Sequence, residues 1–496
     1  MAMESFLDAS SDIQLRLLQN SNLPSQQPFI NRMVTEMQSP RSRINLIQER
    51  MNQSISGMNQ IHNLSTALVP ISVFPNEVLY HMFGMAITAR FSPHRSVYHE
   101  SNTLLAISTT CTRWRRLAIQ APWFWSHIDI YTLCKMGIKT SNRMECIKLW
   151  LERSRGFPIH LYFNSFGTWN VAEVISALQP YAARISSVVF RANWHSELMQ
   201  DIYSLCSTHG RPDSVKTLVV VVTGQGETMG LQWEPVTSFT GLVNLELSWL
   251  PEAAHPTIHQ LAAVFANNQS IRTLRLRNMS LLLEGDLILV VPITLPNLQL
   301  LDIFELDGAD WLLCTLRPGA LELDLRLSLH HLNPDGIEIL FDFFEQAHIV
   351  CLWIFDLGWK LASWFPELPA LRVLGLVSLS DKSLSLVGNM VLFKDGAYTA
   401  RYPTVRTICL SGSGTPSELG RNRMETVAVC YPLKLLNLDR LGLLTPPQSA
   451  GGSRDQELQG FLAGCVDRVT LNRVHLQEYD HMDTYVKGLI EESRGP

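Results

Sequence analysis

The stretch IRTLRLRNMS, residues 271–280, sets apolar side chains at Ile271, Leu274 and Leu276 and arginines at 272, 275 and 277. An apolar-x-x-apolar-x-apolar string reads as a short strand. Successive side chains point to opposite faces, so Leu274 and Leu276 share one face and Arg275 and Arg277 the other. A single strand of this kind cannot bury its leucines. The string recurs as VKTLVV (215–220), LVNLEL (242–247), LQLLDI (298–303), ALELDL (320–325), IVCLWI (349–354), LRVLGL (371–376), VRTICL (405–410), LKLLNL (433–438) and VDRVTL (466–471). ISSVVF (185–190) is an earlier copy. Successive copies from 215 onward start 22 to 34 residues apart, a period at which neighbouring units stack into one continuous core. Stacking also explains how 496 residues avoid splitting into several separate cores. The expected fold class is an α+β or α/β solenoid.

The segments between strands are mixed. IHQLAAVFANN (258–268) and GIEILFDFFEQA (336–347) read as helices, whereas SGSGTPSELGRNR (411–423) and TPPQSAGGSRDQELQ (445–459) are loop-like. The array is therefore expected to be irregular over 185–480, with a linker and the start of the array at 131–184 and a tail at 481–496.

Composition narrows the function. The net charge is −5, which argues against nucleic acid, a partner that usually calls for a basic surface. The 9 cysteines include no Cys-x-x-Cys pair and read as buried or inert thiols in a reducing compartment. The first twenty residues lack a basic segment followed by an apolar one, so they do not resemble a signal peptide. No apolar run approaches the roughly 18 residues of a membrane span. The expected location is cytoplasmic and/or nuclear, with no membrane partner.

Residues 1–40 are polar, interrupted by Pro24, Pro28 and Pro40, and are expected to be a disordered arm. Over 41–68 the apolar residues Ile44, Ile47, Met51, Ile55, Met58 and Ile61 recur in steps of three and four, one face of a helix. Two readings are open: a helix docked on its own domain, or a short coiled-coil segment. Against the second stand a run of under three heptads and Gly57.

Residues 69–130 read as a small helical module. Pro75 suits a first helical turn, and Val78, Leu79, Met82 and Phe83 fall on one face. A second helical stretch, NTLLAISTTCTRWRRLAIQ (102–120), has Asn102 as cap and Leu104, Ile107, Cys111, Trp114 and Ala118 as inner stripe. Pro122 ends it, and Trp125 can fold back to fill a core too small for leucines alone.

FPNEVLYHMF and LLAISTTCTRWRRLAIQAPWFWSHI together resemble an F-box of the large fungal type. The pattern is an apolar-Pro pair, an amphipathic helix, Cys-x-x-Trp-x-x-Leu-Ala and Pro-x-x-Trp. Its places are held by Phe74-Pro75, Val78 to Phe83, Cys111, Trp114, Leu117-Ala118, Pro122 and Trp125. Phe74 stands where leucine is usual, and the link between the helices is long. The array behind it resembles irregular leucine-rich repeats, although the usual Asn or Cys after the strand is mostly replaced, as by Leu250, Leu306 and Leu379. The resemblance implies a non-catalytic substrate receptor of a cullin-RING, SCF-type ubiquitin ligase. The F-box would bind the small adaptor subunit, and through it cullin, using Phe74, Pro75, Val78, Leu79, Phe83 and Leu117, with Cys111, Trp114 and Trp125 as core. The repeats would hold a protein substrate. The alternative is a repeat scaffold whose F-box serves a non-degradative role.

Nothing in the sequence argues for catalysis, a cofactor or a metal. In VVVVTGQGETMG (219–230) the glycine spacing is Gly-x-Gly-x-x-x-Gly, and LQWEPV follows it instead of a helix fit to hold phosphate. The GSG at 412–414 lacks a nucleophile-elbow spacing. The adjacent His330 and His331 would point to opposite faces of a strand.

The strand register assigns a candidate substrate surface. Between the paired apolar positions lie Glu246, Arg275, Asp302, Asp324 and Trp353. Just after them come Arg277, Phe304, Arg326 and Phe355, with Trp249 one place further on. Arg275, Arg277, Phe304, Trp353 and Phe355 are expected to form an open platform, since arginine and aromatics most often anchor interfaces. The competing reading is that Arg and Asp on adjacent strands pair with one another at a solvated face.

Overall fold

A computed structural model describes residues 27–64, 70–88, 103–130, 140–163, 171–192, 196–222, 232–282, 292–328, 334–355, 368–379, 390–394, 397–412, 427–431, 433, 435–439, 468–470 and 489–490. The chain divides into two compact units, Met1–Phe83 and Gly84–Pro496.

The first unit is dominated by helix α1, Gln27–Leu64, 38 residues long. This corrects the expected arm over 27–40, because the helix begins at Gln27 and runs through Pro40; residues 1–26 of that arm lie outside the described residues. A proline inside a helix forgoes one backbone hydrogen bond, which is why the sequence reading placed the boundary there. Pro75 then precedes α2, Asn76–Thr88, and its carbonyl accepts from Leu79 N at 3.1 Å.

The expected single helix over 102–120 is two, α3 (Thr103–Thr110) and α4 (Thr112–Gln120). Cys111 between them is extended, at φ −155° and ψ 167°. The break follows Ser108, Thr109 and Thr110, whose hydroxyls all donate back to carbonyls three or four residues earlier, a habit that competes with the helical ladder. The Arg115 guanidinium closes the corner, donating from Nε to Ser108 O at 2.8 Å.

The second unit is built on one open sheet of 13 strands whose order across the sheet is their order in the chain. They are β1 (His127–Asp129), β2 (Ile159–Phe163), β3 (Ile185–Ala192), β4 (Thr217–Val222), β5 (Asn244–Ser248), β6 (Thr273–Ser280), β7 (Leu300–Asp307), β8 (Leu323–Ser328), β9 (Ile349–Phe355), β10 (Val373–Leu379), β11 (Thr407–Gly412), β12 (Leu435–Asp439) and β13 (Arg468–Thr470). Every neighbouring pair is parallel. Each of the eleven strings found in the sequence overlaps one of these strands. β2 falls within 131–184, where the start of the array was expected, whereas β1 falls in what was expected to be the helical module.

Register places Leu245, Leu274, Leu301, Leu325, Leu352, Leu374 and Ile408 in one line. All are at most 1% exposed. Helices intervene between several of the strands. The helix Ile258–Asn267 begins with a capping box, Thr257 with Gln260, and Pro334–Gln346 is the second helix expected. Asn268 ends the first. Its amide accepts from Leu242 N at 2.8 Å and donates to Phe239 O and Val264 O, both at 2.7 Å, satisfying a buried turn between repeats. No described helix is long and apolar enough to cross a membrane.

Candidate functional site

The module core forms around tryptophan. Trp125 is buried, and its indole Nε1 donates to Ala118 O at 2.8 Å. Its ring stands edge-on to Trp150 at 5.4 Å, with the Arg153 guanidinium 4.4 Å from the ring centre. Trp123 lies so close over Gly84 that a Cβ there would sit 2.3 Å from the indole. Cys111 and Trp114 are only half-buried, so Trp114 is less of a core residue than its spacing suggested.

The six residues assigned to adaptor binding divide. Phe74, Pro75 and Val78 are exposed, whereas Leu79, Phe83 and Leu117 are buried. The expectation that Leu79, Phe83 and Leu117 lie on an open face is corrected: they are core. Val78 and Met85, two turns apart on α2, remain exposed.

The sheet face opposite the leucines carries most of the charge. One line across it runs Val219, Glu246, Arg275, Asp302, Arg326, Trp353, Gly375 and Cys409. Arg326, not Asp324, stands beside Asp302. The sequence reading placed the β8 string two residues early, because LELDLRL (321–327) alternates throughout and fits both ways. A two-residue slip keeps the face, so the sidedness of every residue was right.

Exposure was not. Arg275, Arg277, Trp353 and Phe355 are at most 8% exposed and Phe304 is partly buried, so the expected open platform is a closed layer. Two arrangements close it. At its centre, three arginines and three carboxylates interlock, the competing reading of the sequence, but buried instead of solvated. Arg275 Nη1 lies 3.6 Å from Glu246 and its Nε 4.0 Å from Asp302. Arg277 hydrogen-bonds Asp302. Arg326 lies 3.9 Å from Asp302 and 2.7 Å from Asp324. Burial alone would lower the Arg277 pKa, but the Asp302 and Glu246 carboxylates outweigh it and hold it above the ordinary value.

Further along, the layer is apolar. Trp353 packs where Gly375 has no side chain; a Cβ at 375 would lie 2.0 Å from the indole. The Trp353 Nε1 donates to Cys351 Sγ at 3.1 Å. Burial pushes the Cys351 thiol well above its ordinary pKa, which makes it an inert thiol. Phe355 meets Phe304 edge-on at 5.5 Å. Leu489 and Ile490, from the expected tail, pack onto this cluster of Val350, Cys351, Trp353, Phe355, Val373, Val377 and Cys409.

What stays open is Trp249, one residue past β5. Ser248 and Arg277 are paired, as are Arg277 and Phe304. The next residues, Trp249, Asn278 and Glu305, all have left-handed backbone, with φ of 59°, 50° and 47°. A bulky residue there is a real outlier. Trp249 N is tied to Arg277 O at 3.0 Å, and Asn278 hydrogen-bonds Glu305. The Trp249 side chain is 58% exposed.

At the start of the sheet, His127 and His160 stack with centroids 4.5 Å apart and planes 10° from parallel. Burial, then the neighbouring His160, pushes His127 down to about 3. Burial also lowers His160.

Among the described residues no His, Cys, Asp and Glu group could hold a metal. His330 and His331, residues 223–230 of the glycine-rich stretch and the rest of GSG after Gly412 lie outside the described residues. After that stretch the chain forms a single helical turn, Glu234–Thr237. No family model matches the chain, and no curated protein matches it.

Proposed function

We propose that this chain is a non-catalytic substrate receptor of a cullin-RING ubiquitin ligase, an F-box with an irregular leucine-rich-repeat array. The observation that carries the reading is the order of its parts. An exposed Phe74-Pro75 and Val78 precede helices joined at Cys111 and closed by a buried Trp125, and parallel strands bearing the leucine string follow in chain order. Phe74, Pro75 and Val78 contact the small adaptor subunit, while Leu79 and Phe83, buried on the same helix, serve its packing. A bound substrate then has its lysines near the ubiquitin carrier, which raises their effective concentration. Its anchor is Trp249, an exposed aromatic held in a backbone conformation that costs about 1–3 kcal/mol. Strain of that size in an exposed residue is a reason to look for function there.

The test is a titration of the purified chain with purified adaptor subunit. Phe74→Ala with Val78→Asp weakens binding at least tenfold and leaves the far-ultraviolet spectrum unchanged. Undiminished binding by that variant overturns the assignment of the face.

A further inference from the structure

We infer that helix α1 is a self-association element: it pairs in parallel with α1 of a second copy of this chain as a coiled coil. The inference is independent of the proposed ligase role. Helix α1 is 38 residues long, about 57 Å at 1.5 Å per residue. None of its described apolar side chains is buried. Ile47, Met51, Ile55, Met58 and Ile61 are 47% to 72% exposed. A row of this kind along more than two turns is an interaction surface, not the scatter of single apolar residues that any surface carries.

Spacing identifies the occupant. Counting Ile44 as an a position puts Met51 and Met58 at a, with Ile47, Ser54 and Ile61 at d. That is the 3.5-residue seam of a coiled coil. In the sequence Ile30, Met33 and Met37 fall on the same seam upstream, with Pro40 interrupting it at the d position before Ile44. The helix seen here is also longer than the run of under three heptads that weighed against this reading in the sequence. Gly57 falls at g, outside the seam, and nothing lies within 4 Å of where its Cβ would be.

Charge selects a second copy and its direction. In a parallel in-register pair each g residue faces the e residue five places on in the other chain. Arg43 then faces Gln48 and Arg50 faces Ile55, with no like charges opposed. The antiparallel overlay of the same seam sets Arg43 against Arg50, two arginines in contact. Ser54, polar at a d position, favours copies that align it with itself, as buried polar residues do in setting register.

Sedimentation equilibrium of the full chain in reducing buffer tests this. The expected mass is at least twice the chain's 56.0 kDa. Met51→Glu with Met58→Glu weakens association at least a hundredfold without loss of helix by circular dichroism. Leu46→Glu, also exposed but off the seam, leaves it unchanged. Ser54→Cys gives a disulfide between copies on oxidation that the parent chain does not give. A chain that sediments as one copy at tens of micromolar overturns the inference, as does association that survives the double Glu variant. Association without the cross-link in the Ser54→Cys variant overturns the parallel arrangement.

Discussion

Asp302 is the residue on which the buried charge layer turns, and Asp302→Asn is the sharpest perturbation of it. The change keeps shape and removes one charge from a side chain that is 0% exposed. Three guanidinium groups approach that carboxylate: Arg277 in a hydrogen bond, Arg326 at 3.9 Å and Arg275 at 4.0 Å. At an effective dielectric of about 20, a pair of unit charges 4 Å apart interacts by roughly 4 kcal/mol. The three contacts do not simply add, because the amide that replaces the carboxylate no longer has to be desolvated as an ion. Arg326 keeps Asp324 at 2.7 Å and Arg275 keeps Glu246 at 3.6 Å, so the loss falls mainly on Arg277. Breaking one side of a buried ion pair typically costs about 3–5 kcal/mol, and that is the expected loss for Asp302→Asn. The assay is urea unfolding followed by tryptophan fluorescence, with the midpoint falling and the slope unchanged. Adding Arg277→Met should restore at least half the loss, because the stranded charge goes with it. A single variant within about 1 kcal/mol of the parent, below that range, or a double variant weaker than the single one, would refute this account of the layer.

Three further outcomes follow from the geometry. Gly375→Ala should cost at least about 1–3 kcal/mol through overpacking, since the new methyl would enter the Trp353 ring, and Trp353→Leu in the same chain should relieve it; both read by urea midpoint. The stacked imidazoles should make stability fall in acid. His127 titrates at about 3 when folded against roughly 6.5 when unfolded, so the unfolded state takes up the proton first. Stability is full above the unfolded value and declines as pH drops through the window between the two, by about 2 kcal/mol at pH 5. His127→Phe should flatten the melting-temperature profile over that window. Trp125→Ala should cost about 3–5 kcal/mol and make residues 103–130 protease-sensitive, whereas Trp114→Ala, half-buried, should cost about half as much.

Much of the sheet was legible because its signal is local. A leucine pair two residues apart, repeated at intervals of a few tens of residues, specifies strands, sidedness and chain-order stacking without knowledge of distant contacts. The same period-two alternation is present in β2, where Ile159, Leu161 and Phe163 are buried and His160 and Tyr162 between them half-buried; no full string marks it, because the leading apolar residue is missing. Burial of the other face was not legible. Leu489 and Ile490 reach Trp353 and Phe355 from more than a hundred residues away, and no spacing rule records such a contact. The charge layer was misjudged for a related reason. Alternating Arg and Asp on neighbouring strands reads as a solvated surface, and only three-dimensional closure makes it interior. In the helical module, Leu79 and Phe83 sit on the same face as Val78 in a helical projection. Which side of that stripe is core depends on packing, and the structure leaves Val78 outside and the other two within.

The central claim is that Phe74, Pro75 and Val78 couple this chain to a cullin ligase. The direct measurement is quantitative mass spectrometry of proteins that co-purify with the full-length chain and with its Phe74→Ala, Val78→Asp variant. The account predicts that the small adaptor and cullin accompany the parent chain and are lost together from the variant, while other bound proteins are retained. Recovery of neither adaptor nor cullin with the parent chain, or equal recovery with both chains, would contradict it.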